Sequence, residues 1–468
     1  MNARTYEDIR IAMEARWVIE PKAQAFDFVG VAIDTRAIEP GHLFFAFVGE
    51  QVDGHAYLKH AARAGAGMCV VTDATKVPDG FEVPVLIVDD ALDAITKLAS
   101  AWRKQLSAKV IAITGSNGKT TTCRLVHSVC AQSGSSFVSQ RSFNNALGVP
   151  ITILNTPEDA DYLVAEIGTS SPGEIAARSA LIEPDIAVIT SIGSAHLEEL
   201  GDRDGVAREK AQIIKALPDG ACGIIAGGFP ELEEALASES DRVKITRIGT
   251  QLPIDITESG DQHTSFTLAG AAFTVPMLGI HNAWNAGLAI AVGRALGIDD
   301  EAIRAGLMGA KLPEMRFDRI EIPTKSDPIV LYNDAYNANP DSMRAALATF
   351  DGLHLEGEKI AILGEMLELG EHSADQHQAL ADELVQYPSI GRWILVGPSF
   401  AQTQIASDRV EVVADADAQA MTRIARSVLP GSSVLLKGSR GVALERIVYI
   451  LIGSRAARPV SPKAHPQA

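Results

Sequence analysis

Ten consecutive residues, Ile113-Thr114-Gly115-Ser116-Asn117-Gly118-Lys119-Thr120-Thr121-Thr122, constrain this chain more than any other segment. The apolar run Val110–Ile113 leads into them, and a helical pattern, Cys123 to Ala131, follows. Strand, glycine-bearing loop and helix in that order form the cradle on which a phosphate chain is held. Glycines let backbone N–H groups approach phosphate oxygens, and the helix N-terminus adds partial positive charge. In such a loop Lys119 reaches the β- and γ-phosphates and the Thr120 hydroxyl sits on a magnesium ion. The usual spacing puts a glycine five residues before Gly118, where this chain has Ile113, so the loop is a shortened variant starting at Gly115. The segment implies an α/β fold and a nucleoside triphosphate held by Gly115, Ser116, Asn117, Gly118, Lys119, Thr120 and Thr121.

The chain has 468 residues, room for about three domains of ordinary size. Its formal net charge of −18 argues against nucleic acid or an anionic membrane as partner, since either calls for a basic face. A polyanionic nucleotide is then held locally, by backbone amides, a few cations and Mg²⁺. Cys69, Cys123, Cys130 and Cys222 contain no Cys-x-x-Cys pair and read as free thiols in a reducing compartment. Met1 to Glu20 mixes acids and bases without an apolar stretch, so no signal peptide is expected, and no apolar run is long enough for a bilayer. A cytoplasmic protein with no membrane insertion is the expectation.

Three segments follow one another. In residues 1–88, Ala25 to Thr35, Leu43 to Val48, Met68 to Thr72 and Val83 to Val88 are strand-like, and Ala56 to Ala64 has helical periodicity. Residues 89–313 begin with a long amphipathic helix pattern, Ala91 to Leu106, that leads into the loop strand. Three apolar runs in this segment, Val110–Thr114, Tyr162–Ile167 and Asp185–Ile192, end in chemically capable residues: the loop, Glu166, and Ser191 with His196. In open α/β sheets ligands sit beyond the carboxyl ends of the strands. In residues 314–468 the strands Ile329–Asn333, Lys359–Leu363, Trp393–Val396, Val410–Val413 and Val434–Lys437 alternate with helices Ser342–Phe350, Ala374–Val385 and Ala418–Val428. That alternation predicts a Rossmann-like unit, with Asn339 as N-cap and Pro340 at the first helical position. The tail after Ser454 is expected to fray.

Glu166 closes the apolar run Tyr162-Leu-Val-Ala-Glu166, and a carboxylate there must be paired or bind metal. Magnesium is the natural partner beside a triphosphate loop, a salt bridge at the strand end the alternative. His196 at a strand end is open to a structural or a ligand role. Lys210, within Arg208-Glu209-Lys210, reads on its own as a solvated helix face. Glu365, Glu368, Glu371, His372, Asp375 and His377 look ligand-rich. Ser373 with Gln376 forms a capping-box pattern, however, and a solvated helix start accounts for the acids.

These residues together resemble the Mur ligases, the ATP-dependent amide-forming enzymes of peptidoglycan synthesis. The carrying motifs are Thr114-Gly-Ser-Asn-Gly-Lys-Thr120, Glu166-Ile-Gly168, Ala195-His196, Glu209-Lys210, His281-Asn282-x-x-Asn285, Arg316 and Asp334. The likeness runs from Asp34 to about Val448, and a shortened phosphate loop is one of the family's marks. It implies three domains: a small N-terminal α/β domain (1–88) for a UDP-sugar peptide, a central P-loop ATPase domain (89–313) and a C-terminal Rossmann-like domain (314–468). Arg141-Ser-Phe-Asn-Asn-Ala-Leu-Gly-Val-Pro150, Tyr336-Asn-Ala-Asn-Pro-Asp-Ser342, Leu363-Gly-Glu-Met-Leu-Glu-Leu-Gly-Glu371 and Lys437-Gly-Ser-Arg440 are similar to the family members that join D-alanyl-D-alanine to UDP-N-acetylmuramoyl-tripeptide. Thr169-Ser170 stands where the family often has Ala-Asn, and Ser191 where Asn is usual.

Residue by residue, the resemblance implies ATP and two Mg²⁺ ions. Thr120 and Glu166 would hold one ion, and His196 with Lys210, the latter as a carbamate made with CO₂, the second. Lys119, Glu166, His196 and Lys210 would form the catalytic set. Asn282 and Asn285 would contact adenine, Arg316 the phosphates and Asp334 the ribose. Asp34-Thr35-Arg36 resembles a uridine-nucleotide-binding stretch, and Asn144, Asn145 and Ser170 would touch substrate. An ordinary strand end at Thr35-Arg36 and an ordinary turn at Asn144-Asn145 are the plainer readings. A monomer is expected. The rivals are another Mur-type ligase, either third-residue-adding or folylpolyglutamate synthase-like, and a P-loop switch ATPase. The chain lacks an Asn-Lys-x-Asp guanine motif.

Overall fold

The structure is a computed structural model and describes residues 5–22, 27–139, 142–194, 196–260, 262–312, 314–405 and 407–455. The first residues of the expected run 25–35, Arg141, Ala195, the boundary at Pro313 and the tail from residue 456 lie outside the described residues.

The first sheet contains β1 (Arg16–Ile19), β2 (Gly30–Ala32), β3 (His42–Phe45), β4 (Met68–Val71) and β5 (Val85–Ile87). Its order is β1-β5-β4-β3-β2, parallel except where β1 runs against β5. Every residue of β4 is buried, as a central parallel strand covered on both faces requires. The helix expected over Ala56–Ala64 starts as a 3₁₀ turn, Gly54–Tyr57, and continues as Leu58–Ala64.

The second sheet is built from β6 (Lys109–Thr114), β7 (Ser136–Val138), β8 (Tyr162–Glu166), β9 (Ile186–Ile189), β10 (Cys222–Ala226) and β11 (Lys244–Ile248). All neighbours are parallel, in the order β11-β10-β9-β6-β8-β7. The chain leaves β6 toward β7 and β8 on one side and returns to β9 on the other. That reversal opens a crevice at the carboxyl ends of β6, β8 and β9. Register then fixes what faces it: Ile113 pairs with Glu166, and Thr114 with Ile189. In a separate antiparallel meander, β12 (Ile254–Ser259), β13 (Thr264–Leu268) and β14 (Ala271–Val275), the middle strand alternates buried and half-buried residues, and Phe266 and Phe273 stack.

The last sheet contains β15 (Asp318–Ile322), β16 (Ile329–Asp334), β17 (Lys359–Gly364), β18 (Arg392–Val396), β19 (Val410–Val413) and β20 (Ser433–Lys437), in the order β15-β16-β20-β17-β18-β19. Only β15 is antiparallel. Two apolar clusters cover its faces, one around Tyr332, Phe350 and Trp393, the other around Ile362, Met421 and Ile447. The helix Pro340–Gly352 starts as its sequence predicts, with Asn339 and Ser342 forming a reciprocal capping box. The helix Ser373–Glu383 does not. A 3₁₀ turn, Gly370–His372, runs into it and no side chain caps it. Ser373 instead presents its carbonyl to His377 Nδ1 at 2.7 Å, while Met366 N donates to Nε2 at 3.1 Å. His377 is fully buried, so that histidine belongs to the core and not to a solvated helix start.

By contacts the chain divides into two compact units. One is Met1–Ser191 with Ala207–Leu252 and Asn285–Lys311. The other is Ile192–Val206 with Pro253–Trp284 and Leu312–Ala468.

Candidate active site

In the first unit, the loop after β6 turns through two left-handed glycines, Gly115 (φ 150°) and Gly118 (φ 82°). A Cβ at Gly115 would overlap Thr190 Oγ1, and one at Gly118 would overlap the Asn285 amide, so both positions require glycine. The loop is fastened to the end of β9. Ser116 N donates to Ser191 O at 3.0 Å and Asn117 N to Ser191 Oγ at 2.9 Å, while Thr190 Oγ1 donates to Asn117 O. Lys119 opens the helix Lys119–Cys130, and its Nζ folds back onto the loop carbonyls of Gly115 (2.7 Å) and Ser116 (3.3 Å). The ammonium thus lies against the backbone of the loop.

Glu166, the last residue of β8, is 2% exposed. Thr120 Oγ1 donates to its Oε2 at 2.8 Å and Asn144 Nδ2 to its Oε1 at 2.6 Å. Two neutral donors, the Thr120 hydroxyl and the Asn144 amide, thus satisfy the carboxylate. Among the described residues no three His, Cys, Asp or Glu side chains converge as a metal cluster.

Lys210 departs most from its sequence reading. It lies in the helix Arg203–Lys215 and is 1% exposed, so the solvated-face reading is wrong. Burial pushes its pKa well below the usual lysine range, and the neighbouring Lys119 charge lowers it further against the opposing pull of Glu209. Its neighbour Glu209 is buried as well. It accepts from Gly173 N and Ile175 N at 2.8 Å each, across the N-terminus of the helix Glu174–Ile182, where a carboxylate is favoured. Amphipathic patterning could not show the burial of Glu209, because that carboxylate sits on a helix end and not on an apolar surface.

The other expected residues of this unit have local partners. Asn145 Oδ1 accepts from Leu147 N (3.2 Å) and Gly148 N (2.8 Å), a turn at the start of the helix Gly148–Leu154. Ser170 N donates to Glu174 Oε2 at 2.6 Å. Thr35 opens a 3₁₀ turn beyond β2, and Arg36 forks onto Asp34 on the surface. Asn285 packs on Gly118 and accepts from Thr122 Oγ1 at 3.3 Å, so it buttresses the loop.

In the second unit, His196 stands in the left-handed region (φ 58°) as N-cap of a short helix, Leu197–Leu200. Its Nδ1 meets Glu368 Oε2 at 2.9 Å. Asn282 is buried and donates to Leu278 O at 2.7 Å. Asp334 and Lys437 end β16 and β20 in one register row, and Lys437 Nζ donates to Asp334 Oδ2 at 2.7 Å. The Arg316 guanidinium lies 4.2 Å from the centre of the Tyr336 ring.

Family models cover most of this chain: the Mur ligase family catalytic domain over residues 27–103, the Mur ligase middle domain over 113–293 and the Mur ligase glutamate ligase domain over 315–440. The chain belongs to the Mur ligase family. This Mur ligase is 36% identical over 435 residues to the UDP-N-acetylmuramoyl-tripeptide–D-alanyl-D-alanine ligase of Bacillus subtilis (strain 168), a match covering 91% of this chain and 93% of the relative. It superposes on a crystal structure of MurF from Acinetobacter baumannii with a TM-score of 0.81 at 29% identity, covering 96% of this chain and 99% of that one. A crystal structure of MurF ligase from Thermotoga maritima in complex with ADP matches with a TM-score of 0.74 at 25% identity, covering 91% and 97%. Three side chains to which sequence reasoning gave no role contact this Mur ligase's expected ones: Thr190 meets Asn117, Glu368 meets His196 and Lys437 meets Asp334. Thr190 and Lys437 carried a signal, a polar residue ending an apolar run, and Glu368 lay in a motif set aside as a helix start. Among the described residues no helix is long and apolar enough to cross a membrane.

Proposed function

We propose that this Mur ligase joins D-alanyl-D-alanine to UDP-N-acetylmuramoyl-tripeptide, using ATP, in cytoplasmic peptidoglycan precursor synthesis. The observation that carries the chemistry is the buried Glu166 carboxylate 2.8 Å from Thr120 at the mouth of the phosphate loop. The similarity to the Bacillus subtilis ligase over 91% of the chain supports the substrates, and the ADP-bound Thermotoga maritima neighbour supports the nucleotide. The domain division 1–88, 89–313 and 314–468 is part of the same proposal, as is a monomeric enzyme.

Lys119 and the loop amides of Gly115 to Thr121 hold the β- and γ-phosphates and stabilise the charge that develops as the γ-phosphoryl moves to the tripeptide's terminal carboxylate. The amine of D-alanyl-D-alanine attacks the acyl phosphate, and the tetrahedral oxyanion collapses to amide and phosphate. The donor set at Thr120 and Glu166 suits magnesium: both are hard oxygens, and Mg²⁺ takes one or two carboxylates with phosphates and water completing its shell. Mg²⁺, when bound, supplies positive charge to the phosphate oxygens. The roles of His196 and Lys210 as ligands of a second ion stay part of the proposal, and the chemistry of Lys210 supports a carbamate there. Burial drives the pKa of this amine down and so favours its neutral form, which is the form that adds CO₂. Asp334 keeps Oδ1 for a ribose hydroxyl while Lys437 occupies Oδ2. Asn282 and Asn285 are assigned to adenine, Arg316 to the phosphates, and Thr35, Arg36, Asn144, Asn145 and Ser170 to the UDP-sugar peptide.

The test is substrate-dependent ADP release. ADP and phosphate form together with the pentapeptide product only when tripeptide and D-alanyl-D-alanine are both present. Equal ATP turnover with neither substrate would make this a switch ATPase instead.

A further inference from the structure

The segment that leads into β15 holds two non-glycine residues in the left-handed region, Met315 (φ 59°) and Phe317 (φ 63°), one on each side of Arg316. Each costs about 1 kcal/mol or more and persists only where the surroundings over-determine it. Two features do so here. Phe317 is buried with its ring 5.5 Å from that of Tyr332. Asp318, the first residue of β15, folds its carboxylate back to accept from the backbone N–H groups of Met315 and Arg316. Antiparallel pairing of Asp318 with Asn333 fixes that carboxylate beside the end of β16, next to Asp334. Burial, aided by the nearby Glu314 and Asp334 charges, raises the Asp318 pKa to about 6 despite the two donors. A half-buried acid placed at that cost beside two like charges has its justification in the loop it ties.

That loop decides where the Arg316 guanidinium goes. Arg316 lies between the two left-handed residues, and its side chain leaves the backbone toward Tyr336, stacking at 4.2 Å. Relaxing either neighbour to right-handed or extended backbone would redirect the Cα–Cβ bond of Arg316 and take the guanidinium off the ring. We propose that Asp318 is a positioning residue: by accepting from Met315 N and Arg316 N it fixes the direction of the Arg316 guanidinium, and through it the affinity of the ligase for the nucleotide phosphates. The inference rests on the assignment of Arg316 to those phosphates.

Steady-state kinetics of the full chain with Asp318→Ala, Asp318→Asn, Asp318→Glu, Arg316→Ala and the Asp318→Ala/Arg316→Ala pair test it. Asp318→Ala raises KM for ATP about tenfold, leaves kcat within about twofold and does not change KM for the peptide or the dipeptide. Asp318→Asn restores KM for ATP to within about threefold, because its Oδ1 accepts the same N–H groups. Asp318→Glu, one methylene longer, behaves like alanine. The double variant is no worse than Arg316→Ala alone, since the two residues act as one unit. A residue with a merely structural role would lower kcat and raise all three KM values together. If Arg316→Ala raises KM for ATP and neither Asp318→Ala nor Asp318→Glu does, the proposal is overturned while the phosphate assignment stands. If Arg316→Ala leaves KM for ATP unchanged, the phosphate assignment falls and the role of Asp318 falls with it. Should the alanine variant fail to fold, the Asn and Glu variants decide by the same contrast.

Discussion

Lys437 and Asp334 end neighbouring parallel strands in one register row, and the lysine ammonium donates to the aspartate at 2.7 Å with only 3% of its side chain exposed. The same ammonium donates to Asn337 O at 3.1 Å, so a single cation ties two strand ends and the loop that follows. Removing one partner of a buried pair leaves the other charge uncompensated. Lys437→Met should therefore destabilise the protein by roughly 2–4 kcal/mol, read by chemical denaturation. It should also raise KM for ATP, because Asp334 loses its orientation.

Lys119→Ala should cut kcat by about a thousandfold or more with an unchanged melting temperature, since its Nζ contacts loop carbonyls and anchors no core. Near-normal turnover in a folded variant would end the phosphate-loop assignment.

Lys210 gives opposite signs for stability and activity. Its folded pKa lies well below its unfolded value, so the burial cost is present at neutral pH and fades as pH rises toward the ordinary lysine pKa. Lys210→Met removes that cost and should stabilise the apoprotein at pH 7, by roughly 1–3 kcal/mol. Ligation should be nearly abolished in the same variant. Lys210→Ala should regain part of its activity with added acetate or formate, while Lys210→Arg stays inactive. A fully active Lys210→Ala enzyme with ordinary Mg²⁺ dependence would remove this lysine from the metal site.

Asp318 carries a pH signature in stability. Its folded pKa, about 6, lies above the ordinary carboxylate value of 3.8, so the native state holds this proton more tightly than the unfolded chain. Its contribution falls as pH rises from about 4 through 6. Asp318→Asn should therefore raise the melting temperature at pH 8 relative to the parent and leave it unchanged near pH 4. Equal shifts at both pH values would show that the carboxyl is not desolvated as the structure has it.

Much of this was readable along the chain where the determinants are local. The β6–loop–helix segment, the end of β8 at Glu166 and the Asn339 cap depend on residues within a few positions of one another, and each lies where its pattern predicts. The strands β16 to β20 also fall within one residue of the expected spans. What stayed hidden depends on tertiary partners. Lys210 and Glu209 look solvated because charges on a helix usually are, yet both are buried, and Glu209 is held by a helix end, Gly173 to Ile175, that is distant in sequence. His377 reads as part of an acidic helix start, whereas its ring is held by Met366 N and Ser373 O inside the core. The meander β12 to β14 and the edge strands β1 and β15 are short and half-polar, too weak a period-two signal to stand out.

The acyl-phosphate route is tested most directly by following oxygen. UDP-N-acetylmuramoyl-tripeptide carrying heavy oxygen in its terminal carboxylate is converted with ATP and D-alanyl-D-alanine, and the released phosphate is analysed by mass spectrometry. Phosphoryl transfer to the carboxylate, followed by attack of the amine on carbon, moves one carboxylate oxygen into phosphate for each amide bond formed. The account predicts phosphate bearing a single heavy oxygen, in step with pentapeptide. Unlabelled phosphate alongside amide product would contradict it.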